Sequence, residues 1–172
     1  MKEENLRKHR CCFAGHRPEK MRYSEKEIKP LLEKAIDEAI EKGYVTFITG
    51  MARGADIWAA EIVLKKKKTN KNLHLVCALP HPNFESRRSL AEKIRFYKIL
   101  KSADIVKQIS AHYYRASYQV RNEWMIDRSN LVIAVFNGQR SGTKNSVEYA
   151  LRSGVCVKNV LGEKGDTETE SI

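Results

Sequence analysis

The stretch that most constrains this chain runs from Arg121 to Gly154. At its centre Leu131–Phe136 is an unbroken apolar run, rich in β-branched residues and bounded by polar ones. That is the pattern of a strand buried on both faces of a parallel sheet. Asn137-Gly138-Gln139-Arg140-Ser141-Gly142-Thr143 follows, with glycines and hydroxyls around an arginine. Asn145 to Arg152 then reads as a helix with Val147, Ala150 and Leu151 on one face and Gly154 as its stop. A strand, a Gly/Ser/Thr turn and a helix N-terminus make an anion cradle. Turn amides are free, the helix dipole favours negative charge, and glycine lets a phosphate approach closely. The alternative reading of the same turn is a well-capped helix start.

The rest of the chain alternates strand and helix around this unit. Strand-like runs occur at Arg10–Gly15, Tyr44–Thr49, Leu73–Leu79, Ile105–Ile109 and Val155–Val157. The fourth of these is more polar and suits a sheet edge. Ser24 with Glu27 forms a capping-box pattern before a helix whose apolar face runs from Ile28 to Ile40, with Pro30 as a start or a kink. Further helices are expected from Ala55 to about Lys67, from Ser86 to Lys101 (Leu90, Ile94, Tyr97 and Leu100 inward), and from Ser117 to Arg128, carrying Val120 and Trp124. This alternation predicts an α/β, Rossmann-like three-layer sandwich with a mainly parallel sheet of about six strands. The domain spans 10–161, with 1–9 and 162–172 as flexible tails.

Ligands of such sheets bind beyond the carboxyl ends of the strands. The loops there are Gly15–Pro18, Gly50–Asp56, Pro80–Ser86 and Asn137–Thr143, which carry Arg17, Arg53 and Arg140. Basic residues number 32 against 21 acidic, a net charge of +11, favouring phosphate-bearing ligands or polyanions. Part of that excess, Lys65–Lys68, reads as a solvated helix C-terminus at the far end of the sheet. Cys11, Cys12, Cys77 and Cys156 form no CxxC pair and read as small buried hydrophobes in a reducing compartment. No run is long and apolar enough to span a bilayer, and no signal peptide follows Met1, so a cytoplasmic protein without membrane partners is expected.

Three loops carry a family resemblance. Thr49-Gly50-Met51-Ala52-Arg53-Gly54-Ala55-Asp56-Ile57-Trp58-Ala59-Ala60-Glu61 is similar to a signature of the SLOG superfamily, which joins the DNA-processing protein DprA/Smf with the LOG phosphoribohydrolases. Ala14-Gly15-His16-Arg17-Pro18 resembles the opening motif of its small YpsA-like branch, and the Arg121–Gly154 stretch resembles the second half of the DprA nucleotide-binding fold. The resemblance implies a pocket for a nucleotide-like ligand, such as one derived from NAD or ADP-ribose. It also implies single-stranded nucleic acid, held weakly, as an alternative partner, and it leaves homo-oligomerisation open. LOG enzymes carry a catalytic Glu after Gly-Thr; the matching position here is Ser146, while Glu148 falls about 200° further round a helix. Hydrolysis of nucleotide N-glycosides is therefore the third expectation, no catalytic residue is assigned, and a binding module acting as sensor or sequestering protein is expected rather than an enzyme.

The expected ligand contacts are Gly15, His16 and Arg17 from the first loop, and Thr49, Gly50, Arg53, Gly54 and Asp56 from the second. Pro80, Arg121, Asn122, Asn137, Gly138, Ser141, Gly142 and Thr143 complete them. Arg17 and Arg121 suit bidentate phosphate contact, although Arg121 could equally pair with Glu123 or Asp127. Asp56 suits a sugar hydroxyl, or Arg53. His16, His81 and His112 lack metal-ligand spacing, so no metal is expected. Tyr113, Tyr114 and Tyr118 could stack on a base or serve as packing.

Overall fold

The computed structural model describes residues 2–162. Six strands, β1 (Arg10–Gly15), β2 (Thr46–Thr49), β3 (His74–Leu79), β4 (Ile105–Gln108), β5 (Leu131–Val135) and β6 (Cys156–Asn159), form one sheet in the order β4-β3-β2-β1-β5-β6. Every pairing is parallel. Six helices accompany them: α1 (Glu3–Arg7), α2 (Glu25–Glu41), α3 (Ala55–Lys67), α4 (Leu90–Ser102), α5 (Ser117–Asp127) and α6 (Gly142–Arg152). The chain winds outward from β1 to β4 with α2, α3 and α4 on one face. It then returns through α5 to the other side of β1, and α5 and α6 cover the second face. Winding therefore reverses between β1 and β5, the place where such sheets open a crevice.

Two apolar layers sandwich the sheet because β1 contributes alternately to each. Cys11 and Phe13 pack with Ile28, Leu32, Phe47, Trp58 and Phe96, while Cys12 packs with Met125, Ile126, Val132, Ala134 and Val147. Gly15 ends β1 against α3: a Cβ there would lie 2.5 Å from that of Ala55, so only glycine allows this approach.

Several local expectations need correcting. α2 neither starts nor breaks at Pro30. Ser24 and Glu27 form a complete capping box, and the missing amide of exposed Pro30 frees only the carbonyl of Lys26, itself exposed and open to water. α4 starts at Leu90 rather than Ser86, capped by Ser89 and Glu92. Its inward residues are Phe96 and Ile99, while Leu90, Ile94 and Tyr97 are 76%, 60% and 52% exposed. Arg95 fixes that roll, reaching Glu25 of α2 and Glu61 of α3. On α5 the buried residues are Ser117, Arg121, Met125 and Ile126, with Val120 exposed; on α6 Leu151 is exposed beside buried Val147 and Ala150. Residues 2–9 hold the one-turn helix α1, whose Arg7 Nε donates to the Ser129 carbonyl at 2.8 Å. The second expected tail lies outside the described residues beyond Gly162.

Lys66 pairs with Glu33 and Asp37, and Lys67 with Asp104, at the end of α3 remote from the loops after the strands. This charge is balanced locally. No helix among the described residues is long and apolar enough to cross a membrane.

Three cysteines, Cys11, Cys12 and Cys77, are buried as expected, but Cys156 at the start of edge strand β6 is exposed. Burial pushes the thiols of Cys12 and Cys77 up to about 12, leaving almost no thiolate at neutral pH. Iodoacetamide should therefore add one carbamidomethyl group to the folded protein, at Cys156, and the remaining three only after denaturation. Intact-mass spectra that show two or more adducts on the native protein at the same exposure would contradict this.

Candidate ligand site at the β1–β5 switch point

Above the carboxyl ends of β1 and β5 lies a cavity of about 680 Å³. Its size is that of pockets for nucleotide-sized ligands. Of the expected contacts, Gly15, His16, Arg17, Arg53, Asp56, Arg121, Asn122, Ser141, Gly142 and Thr143 line it. Thr49, Gly50, Gly54, Pro80, Asn137 and Gly138 do not, and neither does Arg140, which is exposed.

The residues set back from the cavity hold the loops that form it. Thr49 Oγ1 donates to the Asp56 carbonyl (3.0 Å) and accepts from the Met51 amide (3.2 Å). Gly50 accepts from Arg121 Nη1, and a Cβ on Gly50 would lie 2.8 Å from the Arg121 guanidinium. This glycine makes room for an arginine rather than for a phosphate. Met51, fully buried, takes φ +58, a conformation rare for a bulky residue; Arg88 Nη2 holds its carbonyl at 2.6 Å. The Asp56 carboxylate accepts from the Ala52 amide at 3.2 Å. Gly54, at φ +91, caps α3 where a Cβ would lie 3.0 Å from Pro18. Asn137 donates its amide to His16 Nε2 (3.3 Å) and its side chain to the Lys20 carbonyl (3.2 Å), joining the first and last loops. Pro80 accepts from Ser110, steadying the chain after β4.

Arg121 enters from α5 and is only 4% exposed. It makes no ion pair with Glu123 or Asp127. Instead Nη1 donates to Gly50 and Ala78 carbonyls and Nε to Asn122, whose Oδ1 lies at 2.8 Å. Burial draws its pKa down, Arg88 and Arg17 push the same way, and only Asp56 and Tyr118 oppose them. The Asp56 carboxyl is conversely pushed up by burial, more strongly than Arg121 and the loop amides hold it down. Arg53 is committed elsewhere: its guanidinium bridges Glu19 and Glu92. Arg17, Lys20 and Arg87 line the same cavity without a carboxylate partner among the described residues. At the start of α6, Ser141 Oγ accepts from the Lys144 amide, while the amides of Gly142 and Thr143 have no acceptor among the described residues. The turn is thus a hydroxyl-capped helix start, as the second reading of it expects.

His16 is 2% exposed; because Nε2 accepts an amide proton, its own proton sits on Nδ1, which has no partner. Burial lowers its pKa, keeping the ring neutral. Ser146, at the position where LOG enzymes carry their catalytic Glu, lines the cavity and donates to the Gly142 carbonyl at 3.0 Å. Glu148 turns outward to Lys144. Among the described residues no three His, Cys, Asp or Glu side chains gather as metal ligands would. Sequence reasoning missed Arg87 and Arg88 because it extended α4 back to Ser86. The Ser89–Glu92 capping box is the signal that returns both to the loop.

The family model described as the YspA SLOG family matches residues 11–154. The chain belongs to this family. Relatives of this SLOG protein include a UPF0398 protein of Halalkalibacterium halodurans, 30% identical over 67% of the chain, and the SPbeta prophage-derived protein YoqJ of Bacillus subtilis, 31% identical over 74%. The chain spans 62% of the length of the first and 82% of the second. Its fold is similar to that of DNA processing protein A (DprA) of Streptococcus pneumoniae, with a TM-score of 0.62 and 15% identity over 88% of the chain and half of that protein. It is also similar to DprA of Helicobacter pylori, described for its single-stranded DNA binding mode, with a TM-score of 0.59 and 21% identity over 91% of this chain and 66% of that one. At such identities these last two likenesses are of fold alone.

Proposed function

We propose that this SLOG protein binds a nucleotide-derived small ligand, of the NAD or ADP-ribose type, and acts as a sensor or sequestering module. One observation carries the reading: Arg17, Arg88 and buried Arg121 line a single cavity together with the amides of Gly142 and Thr143, which have no acceptor among the described residues. Like charges gathered in a partly desolvated place favour an anion that neutralises them, and a helix N-terminus is suited to phosphate. The buried Nδ1 of His16 adds a donor in want of an acceptor. Ser146 in place of a carboxylate argues against N-glycoside hydrolysis of the LOG kind.

Single-stranded DNA is the second reading, favoured by the DprA-like fold and by the exposed, unpaired cations Arg17, Lys20 and Arg87. Salt separates the two. A strand held by several phosphates should lose affinity with a log–log slope of roughly −0.7 per contact, because each contact releases counterions. A compact nucleotide in the cavity should respond far less. Titrating a labelled 20-mer and a labelled ADP-ribose analogue across a salt series is expected to leave only the second bound at physiological salt. Oligonucleotide binding that persists there and requires Arg17 and Arg87 would make the DNA reading correct.

A further inference from the structure

One face of α5 lines the cavity: Tyr118 first, Arg121 and Asn122 a turn later, Met125 and Ile126 a further turn on. This i, i+3/i+4, i+7/i+8 stripe would ordinarily be an apolar core stripe. Here it runs from aromatic through polar to apolar, and its aromatic end is held in place by an internal hydrogen-bond chain. His81, 8% exposed, donates from Nδ1 to the Pro82 carbonyl (2.8 Å), which leaves Nε2 to accept from the Tyr118 hydroxyl (3.3 Å). The two rings stand at 88°, with centroids 5.4 Å apart. Phe84 lines the cavity beside them and packs its ring against His81 in turn. Tyr118 is half-buried and lines the cavity, its hydroxyl is already satisfied by the protein and Arg121 Cζ lies 6.0 Å from its ring centroid, so what is left for a ligand is the ring rather than the hydroxyl.

Sheet order sets the span. Phe84 and His81 follow β3, whereas the free amides of Gly142 and Thr143 follow β5 and Arg17 follows β1. Three strand spacings separate β3 from β5, about 14 Å, and two separate it from β1, about 10 Å. A phosphate at the α6 end therefore leaves the far end of its molecule beside Tyr118.

We propose that Tyr118 forms a base-stacking subsite, so that the ligand is a nucleoside phosphate lying with its base toward Tyr118 and its phosphate toward Gly142. The proposal rests on the reading of this cavity as a phosphate site and adds the class and orientation of what occupies it. Stacking on an aromatic ring tolerates any base, so the subsite distinguishes nucleotides from sugar phosphates rather than one base from another.

The test compares a purine nucleoside 5′-monophosphate with ribose 5-phosphate, which differ only in the base, by calorimetry on the full chain. The nucleotide should bind about tenfold tighter. Tyr118→Leu should abolish that advantage and leave ribose 5-phosphate affinity unchanged, while Tyr118→Phe, which keeps the ring and loses only the hydroxyl, should retain it. Equal affinity of the two ligands for the wild type, or equal loss of both in Tyr118→Leu, would overturn the subsite while leaving the phosphate site standing. Failure of the wild type to bind either would overturn the phosphate reading and the subsite with it. Unchanged circular dichroism and melting of Tyr118→Leu keep the comparison free of misfolding.

Discussion

Arg121→Leu should lower folding stability by about 2 kcal/mol, since it leaves the buried Gly50 and Ala78 carbonyls without a donor and removes one of the positive charges, with Arg88, that hold down the buried Asp56 carboxyl. Relief of the repulsion from Arg88 and Arg17 offsets part of the loss. Asp56→Asn removes the need for the cation, so the double variant should recover at least about 1 kcal/mol relative to the sum of the single changes. Urea titrations of the four proteins measure this directly. A loss below about 1 kcal/mol in Arg121→Leu would mean that Arg121 faces ligand only and holds no structure.

Gly142→Val should weaken nucleotide binding about a hundredfold, the worth of one or two charge-assisted amide contacts, with folding stability changed by less than about 0.5 kcal/mol. A Cβ at Gly142 meets no atom within 4 Å, so the new side chain enters open space at the cavity wall without touching protein. Gly54→Val behaves differently. Its backbone sits at φ +91, and a Cβ would lie 3.0 Å from Pro18 and 3.1 Å from the His16 carbonyl, so the protein itself is strained. Sequence reasoning treats the two glycines alike, as phosphate contacts; the structure makes one of them part of the frame. Melting and binding measured together separate these cases, and a destabilised Gly142→Val would refute the assignment.

The parallel sheet was legible because strands buried on both faces are continuously apolar, and the loops after them stand out by their glycines. That reading located one edge and, on it, Arg17, Asp56, Arg121 and the Ser141–Thr143 turn. It failed where two answers satisfy the same pattern. In α4 both Leu90-Ile94-Tyr97 and Phe96-Ile99 have helical spacing, and the choice falls to Arg95 with its carboxylates on α2 and α3, a contact between distant parts of the chain. Gly50 and Thr49 looked like ligand contacts for a related reason. The tight packing that Gly50 allows is against Arg121 and the hydroxyl of Thr49 is spent on its own loop, and nothing local in the sequence tells an arginine or a loop amide from a phosphate as the group to be served.

The position of β1 also sets an order in time. Cys11 pairs on one side with Phe47 and on the other with Leu131, so one flank of β1 closes early and the other must wait for most of the chain to be made. A sheet of β1 to β4 alone would present the edge of Cys11-Cys12-Phe13-Ala14 unpaired until β5 arrives, the kind of surface that invites pairing with other chains. The α6 amides emerge later still. Any ligand that grips both β1 and α6 would therefore stabilise only a chain that has passed this stage.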